Sequence, residues 1–235
     1  MADRILTKHP TVRRWHADRL PRHWVFPEGS RLPWITQWSV GPNPLDITRE
    51  LTAVCRDICQ RSPTFSHIDM SRIRVTFTPS RNRSQYGLQA KLTPLRMKDG
   101  GLISMRRGRA YRVQQFHVGD VELLYLITFV LPRFLDRPFE DKMITIFHEL
   151  YHIGEAFDGD IRRHAGRYHA HSHSKCEYDE HMKKLYDEYV AGKPDPNVTN
   201  FLRHDYADLW KRHGGVYGTV LPRPKLVPEP TPSQG

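Results

Sequence analysis

Apolar and polar positions change period several times along the chain. Over residues 46–61, Leu51, Val54, Cys55 and Ile58 recur at helical spacing and predict an amphipathic helix. Over residues 72–78, basic or hydroxyl side chains alternate with Ile73, Val75 and Phe77, the period of a half-buried strand. Residues 86–95 read as a second strand, Asp99-Gly100-Gly101 as a turn, and residues 103–117 as a third strand or a long hairpin. The most apolar run, residues 121–132, reads as a buried strand or strand pair. It leads into a stretch where Phe139, Met143, Ile146, Leu150 and Ile153 recur at spacings of four and three, a helix with one core-facing stripe. Asp136 as a capping carboxylate and Pro138 in the first turn mark its expected start. Ser174-Lys175-Cys176-Glu177 fits a capping box, and the helix it opens carries Tyr178, Met182, Leu185 and Tyr189 on one face. A last short helix around residues 201–212 is expected to dock through Phe201, Tyr206, Leu209 and Trp210, with Gly214-Gly215 ending it.

The pattern divides the chain into three parts. Residues 1–45 form a basic, Trp-rich extension with Trp15, Trp24, Trp34 and Trp38, expected to pack on the main domain. Residues 46–190 form one α+β domain, and residues 191–235 hold a docking helix and a proline-rich tail whose end is expected to be disordered. At 235 residues and 38% hydrophobic content, one sizeable core is possible. The longest apolar run is shorter than a membrane span, and the N-terminus lacks the layout of a secretory signal. Three cysteines make no disulfide framework, so the expected home is the cytoplasm. Cys55 and Cys59, four apart on a helix with no second pair nearby, read as core packing. The net charge of +10 favours acidic partners, nucleic acid first, although the basic residues are spread out and also suit a plain solvated surface.

Chemistry enters on the helix at residues 139–153. His148 and His152 are four apart and project nearly opposite the apolar stripe, so they can share one zinc ion. Glu149 stands between them in sequence, placed to take a proton from a metal-bound water. His148-Glu149-Leu150-Tyr151-His152 is thus the HExxH pattern of zinc-dependent peptidases. A third ligand is needed. Asp158 has the spacing of an extended motif, but its glycine comes early, at Gly154. Glu177 and Glu180 are carboxylate alternatives, and His164, His169, His171 and His173 crowd the loop between the two helices. Tyr168, His169 or His173 is a candidate oxyanion donor.

Residues 131–135 (LPRFL), 148–153 (HELYHI), 157–163 (FDGDIRR), Ala170-His171 and the strand segment 86–95 (YGLQAKLTPL) together resemble the phage metallopeptidase domain family. The likeness spans residues 46–190. It implies a zincin-like fold, a small mixed sheet packed on the HExxH helix with flanking helices, more distantly similar to SprT-like proteases. It also implies His171 as the third zinc ligand beside His148 and His152, with Glu149 as general base and a protein or peptide as substrate. Asp158 or Asp160 is expected to orient a ligand histidine or to cap its own turn. A rival reading is a basic nucleic-acid-binding protein whose zinc is structural and closed by a fourth ligand such as Cys176. The two combine in a SprT-like protease acting on DNA-bound proteins.

Overall fold

The computed structural model describes residues 5–7, 11–25, 41–80, 86–163 and 175–229, the last segment with side chains from residue 179. Within them the helix expected near residue 46 is α1 (Ile47–Arg61). Asp46 caps it by accepting from the Arg49 N–H at 3.1 Å and the Thr48 hydroxyl at 2.8 Å. Its apolar stripe, Leu51, Val54, Cys55 and Ile58, is fully buried.

The strands that follow are β5 (Ile73–Pro79), β6 (Ala90–Pro94), the hairpin pair β7 (Ile103–Arg106) and β8 (Arg109–Val113), β9 (Gln115–Val118), β10 (Val121–Leu123) and β11 (Tyr125–Leu131). Before α1 lie β1 (Ile5–Thr7), β2 (Val12–Trp15), β3 (Arg22–Trp24) and β4 (Leu45–Asp46). After β11 come α2 (Phe139–Tyr151), α3 (Lys175–Ala191), α4 (Pro196–Thr199), α5 (Tyr206–His213), β12 (Val216–Thr219) and β13 (Leu226–Pro228). The fold is α+β.

At its centre is a three-stranded sheet in the order β5-β11-β6, with β11 parallel to β5 and antiparallel to β6. One face presents Val75, Phe77, Ile127 and Phe129 to a core completed by α1, by Met143, Ile146, Phe147 and Leu150 of α2, and by Met182 and Leu185 of α3. Leu126 points the opposite way and joins a second core with Trp15, Leu95, Phe116 and Leu123. The apolar run 121–132 is therefore a strand pair. β10 goes to the sheet β1-β2-β9-β10, while β11 crosses into the central one.

Two expectations need correction. The start of α2 is Pro138, with no side-chain cap; Asp136 instead accepts from the Tyr206 N–H at 3.2 Å and ties down α5. The proline-rich tail contributes β13, which pairs with β8, so only residues 230–235 of it lie outside the described segments. The arm and the tail meet where β12 pairs antiparallel with β3 and parallel with β4, and the arm meets the main domain where β2 runs parallel to β9. Trp15 is fully buried against Phe116, while Trp34 and Trp38 lie outside the described residues. Cys55 and Cys59 are buried thiols, which burial pushes up in pKa, Cys59 to about 12, as core packing requires. Among the described residues, no helix is long and apolar enough to cross a membrane.

A buried lysine joins α2 to the C-terminal segment. Lys142 is 1% exposed and its Nζ donates to the His204 carbonyl at 2.8 Å. Burial pushes its ammonium from 10.5 down to about 8, against the pull of Asp136 and Asp205. The unfolded chain then holds the proton more tightly, so this group makes stability rise with pH between about 8 and about 10.5. Lys142→Met keeps the stem's packing and removes the charge. Urea titrations from about pH 7.5 to about pH 9.5 should show the wild type gaining on the variant by roughly 1–2 kcal/mol.

Candidate metal and active site

The end of α2 brings His148 and His152 together. Both are half-buried, and the C-cap residue His152 keeps helical dihedrals (φ −67°, ψ −15°), so its side chain stays in line with His148 one turn earlier. Their Nε2 atoms are 2.9 Å apart and the rings meet edge to face at 4.5 Å. Two nitrogens on one tetrahedral zinc stand roughly 3.3 Å apart, given Zn–N bonds of ~2.0–2.1 Å. The pair thus needs to open by only a few tenths of an ångström, and its donor chemistry, two imidazoles aimed at one point, fits zinc.

Glu149 is 6% exposed. Burial pushes its carboxyl up to about 7, opposed by the Leu92 backbone N–H, which donates to it. Leu92 lies on β6, an edge strand of the central sheet. The Leu95 N–H donates to the Leu124 carbonyl, and the Val130 N–H to the Gln89 carbonyl. With these anchors and the β6–β11 register, Lys91 and Thr93 bond inward to β11. The main-chain groups of Ala90 and Leu92 therefore turn to the open edge, where Glu149 lies.

After His152 the chain makes a closed loop. Ile153 bridges Ile161, and the Arg162 N–H donates to the His152 carbonyl at 2.8 Å. The turn uses Phe157 (φ 48°) and Gly159 (φ 92°), where a Cβ would fall 2.4 Å from Cγ of Arg96. The buried Tyr125 hydroxyl pins this loop, donating to the Asp160 carbonyl at 2.8 Å and accepting from the Gly159 N–H at 3.0 Å. Tyr125→Phe should therefore cost about 1–3 kcal/mol, read by urea denaturation. An unchanged midpoint would mean that the loop holds without the hydroxyl.

Asp160 takes the turn-capping role. Its carboxylate accepts from the Ile161 N–H at 2.8 Å, the Asp99 N–H at 3.2 Å and, through both oxygens, from the Arg163 guanidinium at 2.9 and 3.0 Å. Asp158 accepts from the Asp160 N–H at 3.0 Å. Among the described residues, no three His, Cys, Asp or Glu side chains are grouped to hold one metal ion. The third-ligand expectation, His171, lies outside the described residues, as do His164, Tyr168, His169, His173 and the capping Ser174, and the side chains of Cys176 and Glu177.

Some neighbours of the motif helix carry no sequence signal. The Arg162 guanidinium stacks over Tyr151 at 4.3 Å and donates to the Tyr151 carbonyl at 2.9 Å, while His181 of α3 meets the Tyr151 ring edge to face at 5.0 Å. Burial, with Arg162 adding to it, lowers the pKa of both His67 and His181 and favours neutral imidazoles. Beside this stack an open cleft of about 410 Å³ is lined by Asp99, Glu155, Asp158 and Arg163 among others. Compared with protein-family models, curated proteins and solved structures, the chain matches none.

Proposed function

We propose that this protein is a zinc metallopeptidase of zincin-like architecture, with His148, His152 and His171 as zinc ligands and Glu149 as general base. One observation carries the reading. The two motif imidazoles converge at 2.9 Å at the end of a helix whose buried glutamate faces an open strand edge. Zinc, when bound, supplies Lewis-acid polarisation of the scissile carbonyl and lowers the pKa of water toward neutrality.

The chain's own residues do the rest. His148 and His152 would hold the metal from one helical face, with His171 as the third ligand. Glu149, held in a low-dielectric pocket, takes the proton of the attacking water and passes it to the departing amine. The outward N–H and C=O groups of Ala90 and Leu92 hold an extended peptide as an added strand, which lays the scissile bond across the helix end. Binding through main-chain groups leaves specificity to the substrate's side chains.

The test is cleavage of an unfolded protein such as casein by the zinc-loaded protein. Loss of cleavage with a chelator and its return on adding zinc are expected. Zinc bound at about one per chain with casein left intact would assign the site a structural role instead, with a closing fourth ligand.

A further inference from the structure

The β7–β8 hairpin is built at a local cost that no ion pair among the described residues offsets. Its two-residue turn is Arg107-Gly108, both at positive φ (49° and 74°). This is the conformation of the tight hairpin turn that Asn-Gly or Asp-Gly adopts readily and arginine rarely does. Directly before and after it, Arg106 and Arg109 form a cross-strand pair, placing like charges opposite each other. All three arginines are exposed, and a Cβ on Gly108 would meet nothing within 4 Å, so the tip stands in open solvent.

Several arginines elsewhere are neutralised: Arg61 pairs with Asp57, Arg96 with Glu122, Arg137 with Asp141 and Arg163 with Asp160. Arg106, Arg107 and Arg109 form no ion pair among the described residues. Residues 100–119 hold four arginines and no carboxylate, and Arg112, at the hairpin base, is the one that pairs, with Glu229. The ribbon also exposes apolar side chains. Ile103 and Met105, 48% and 66% exposed, lie on the same face as Ala110, on the sheet's edge strand.

We propose that this hairpin is a docking element for duplex DNA. Three unpaired guanidinium groups at the tip of a two-stranded ribbon match the charge and width of a groove of about 12 Å, which admits such a ribbon. The chain's net charge of +10 adds long-range attraction. Ile103 and Met105, on the face of the ribbon opposite the Arg106–Arg109 pair, supply apolar contact of the kind that thymine methyl groups accept in that groove. The anionic backbone offsets the repulsion between Arg106 and Arg109 that the fold leaves standing. This proposal stands apart from the peptidase reading and does not need the metal site.

The test is a fluorescence-anisotropy titration of the full chain against a labelled duplex of about 20 base pairs, over roughly 50 to 200 mM salt. The triple variant Arg106→Gln, Arg107→Asn, Arg109→Gln should fold, because asparagine suits the turn better than arginine and the like-charge pair is gone. It should bind at least about tenfold more weakly at low salt, and its log–log salt slope should be smaller by about 3, one unit per lost phosphate contact. Arg107→Asn alone, the fallback if the triple variant does not fold, should lower the slope by about 1. Met105→Ser should weaken binding without changing the slope. Arginine variants equal to wild type in affinity and slope would overturn the proposal. So would a wild type that binds only single strands, or only vesicles of anionic phospholipid.

Discussion

Glu149→Gln should reduce peptide hydrolysis by about 10²- to 10⁴-fold while leaving the fold and the zinc content intact. The amide keeps the size of the carboxylate and still offers an oxygen to the Leu92 N–H, but it cannot take the proton of the attacking water. The stability readout points the opposite way from the activity readout. A carboxylate at 6% exposure is disfavoured in its charged form, so at neutral pH the metal-free wild type bears a cost that the neutral amide avoids. The metal-free variant should therefore melt at or above wild type at about pH 8. Steady-state cleavage of casein and a pair of thermal melts measure both. A variant that keeps full activity would remove Glu149 from the chemistry. One that loses activity together with its fold would make the residue structural.

His148→Ala and His152→Ala should each take zinc from about one per chain to near zero after dialysis, and activity to background. The reason is geometric. Each supplies one of two nitrogens that meet at 2.9 Å, and a single remaining imidazole leaves the ion only one anchor on the described helix. Zinc should raise the melting temperature of the wild type, since a ligand that binds only the folded state stabilises it, and should leave both variants unmoved. Elemental analysis of His171→Ala alongside them places the third ligand. A sharp fall in zinc supports His171, and zinc retained there moves the assignment to another residue of the His164–His173 loop. Full zinc in both His148→Ala and His152→Ala would overturn the site.

The parts legible in the sequence were those set by short-range period. The apolar stripe of α1, the alternation in β5 and the stripe of α2 all repeat within one element, and all of these apolar positions but Phe139 are buried; Phe139 is partly so. The pairing of His148 with His152 was legible for the same reason, because a four-residue step on a helix returns to one face. Some of the shortest strands were not legible. β3, β4, β12 and β13 are too short to show a period, and they exist because distant segments pair: Trp24 with Tyr217, Leu45 with Val216, Val113 with Leu226. The start of α2 was misread because Asp136, a sound cap on local grounds, bonds to Tyr206, 70 residues away.

By itself, then, the sequence determined that one helix carries His148 and His152 on a shared face with Glu149 beside them, since both follow from residue type and a 3.6-residue period. Only the tertiary structure decided what surrounds them. It placed the Leu92 edge against Glu149 and gave that carboxyl its raised pKa. It closed the loop after His152 on the Tyr125 hydroxyl and turned Asp158 and Asp160 into that loop. Among the described residues, it also left Arg106, Arg107 and Arg109 without ion-pair partners at the hairpin tip. The physical reason is the same in each case. Burial, charge pairing and edge exposure depend on groups far apart in the chain, and no local pattern records which of them will meet.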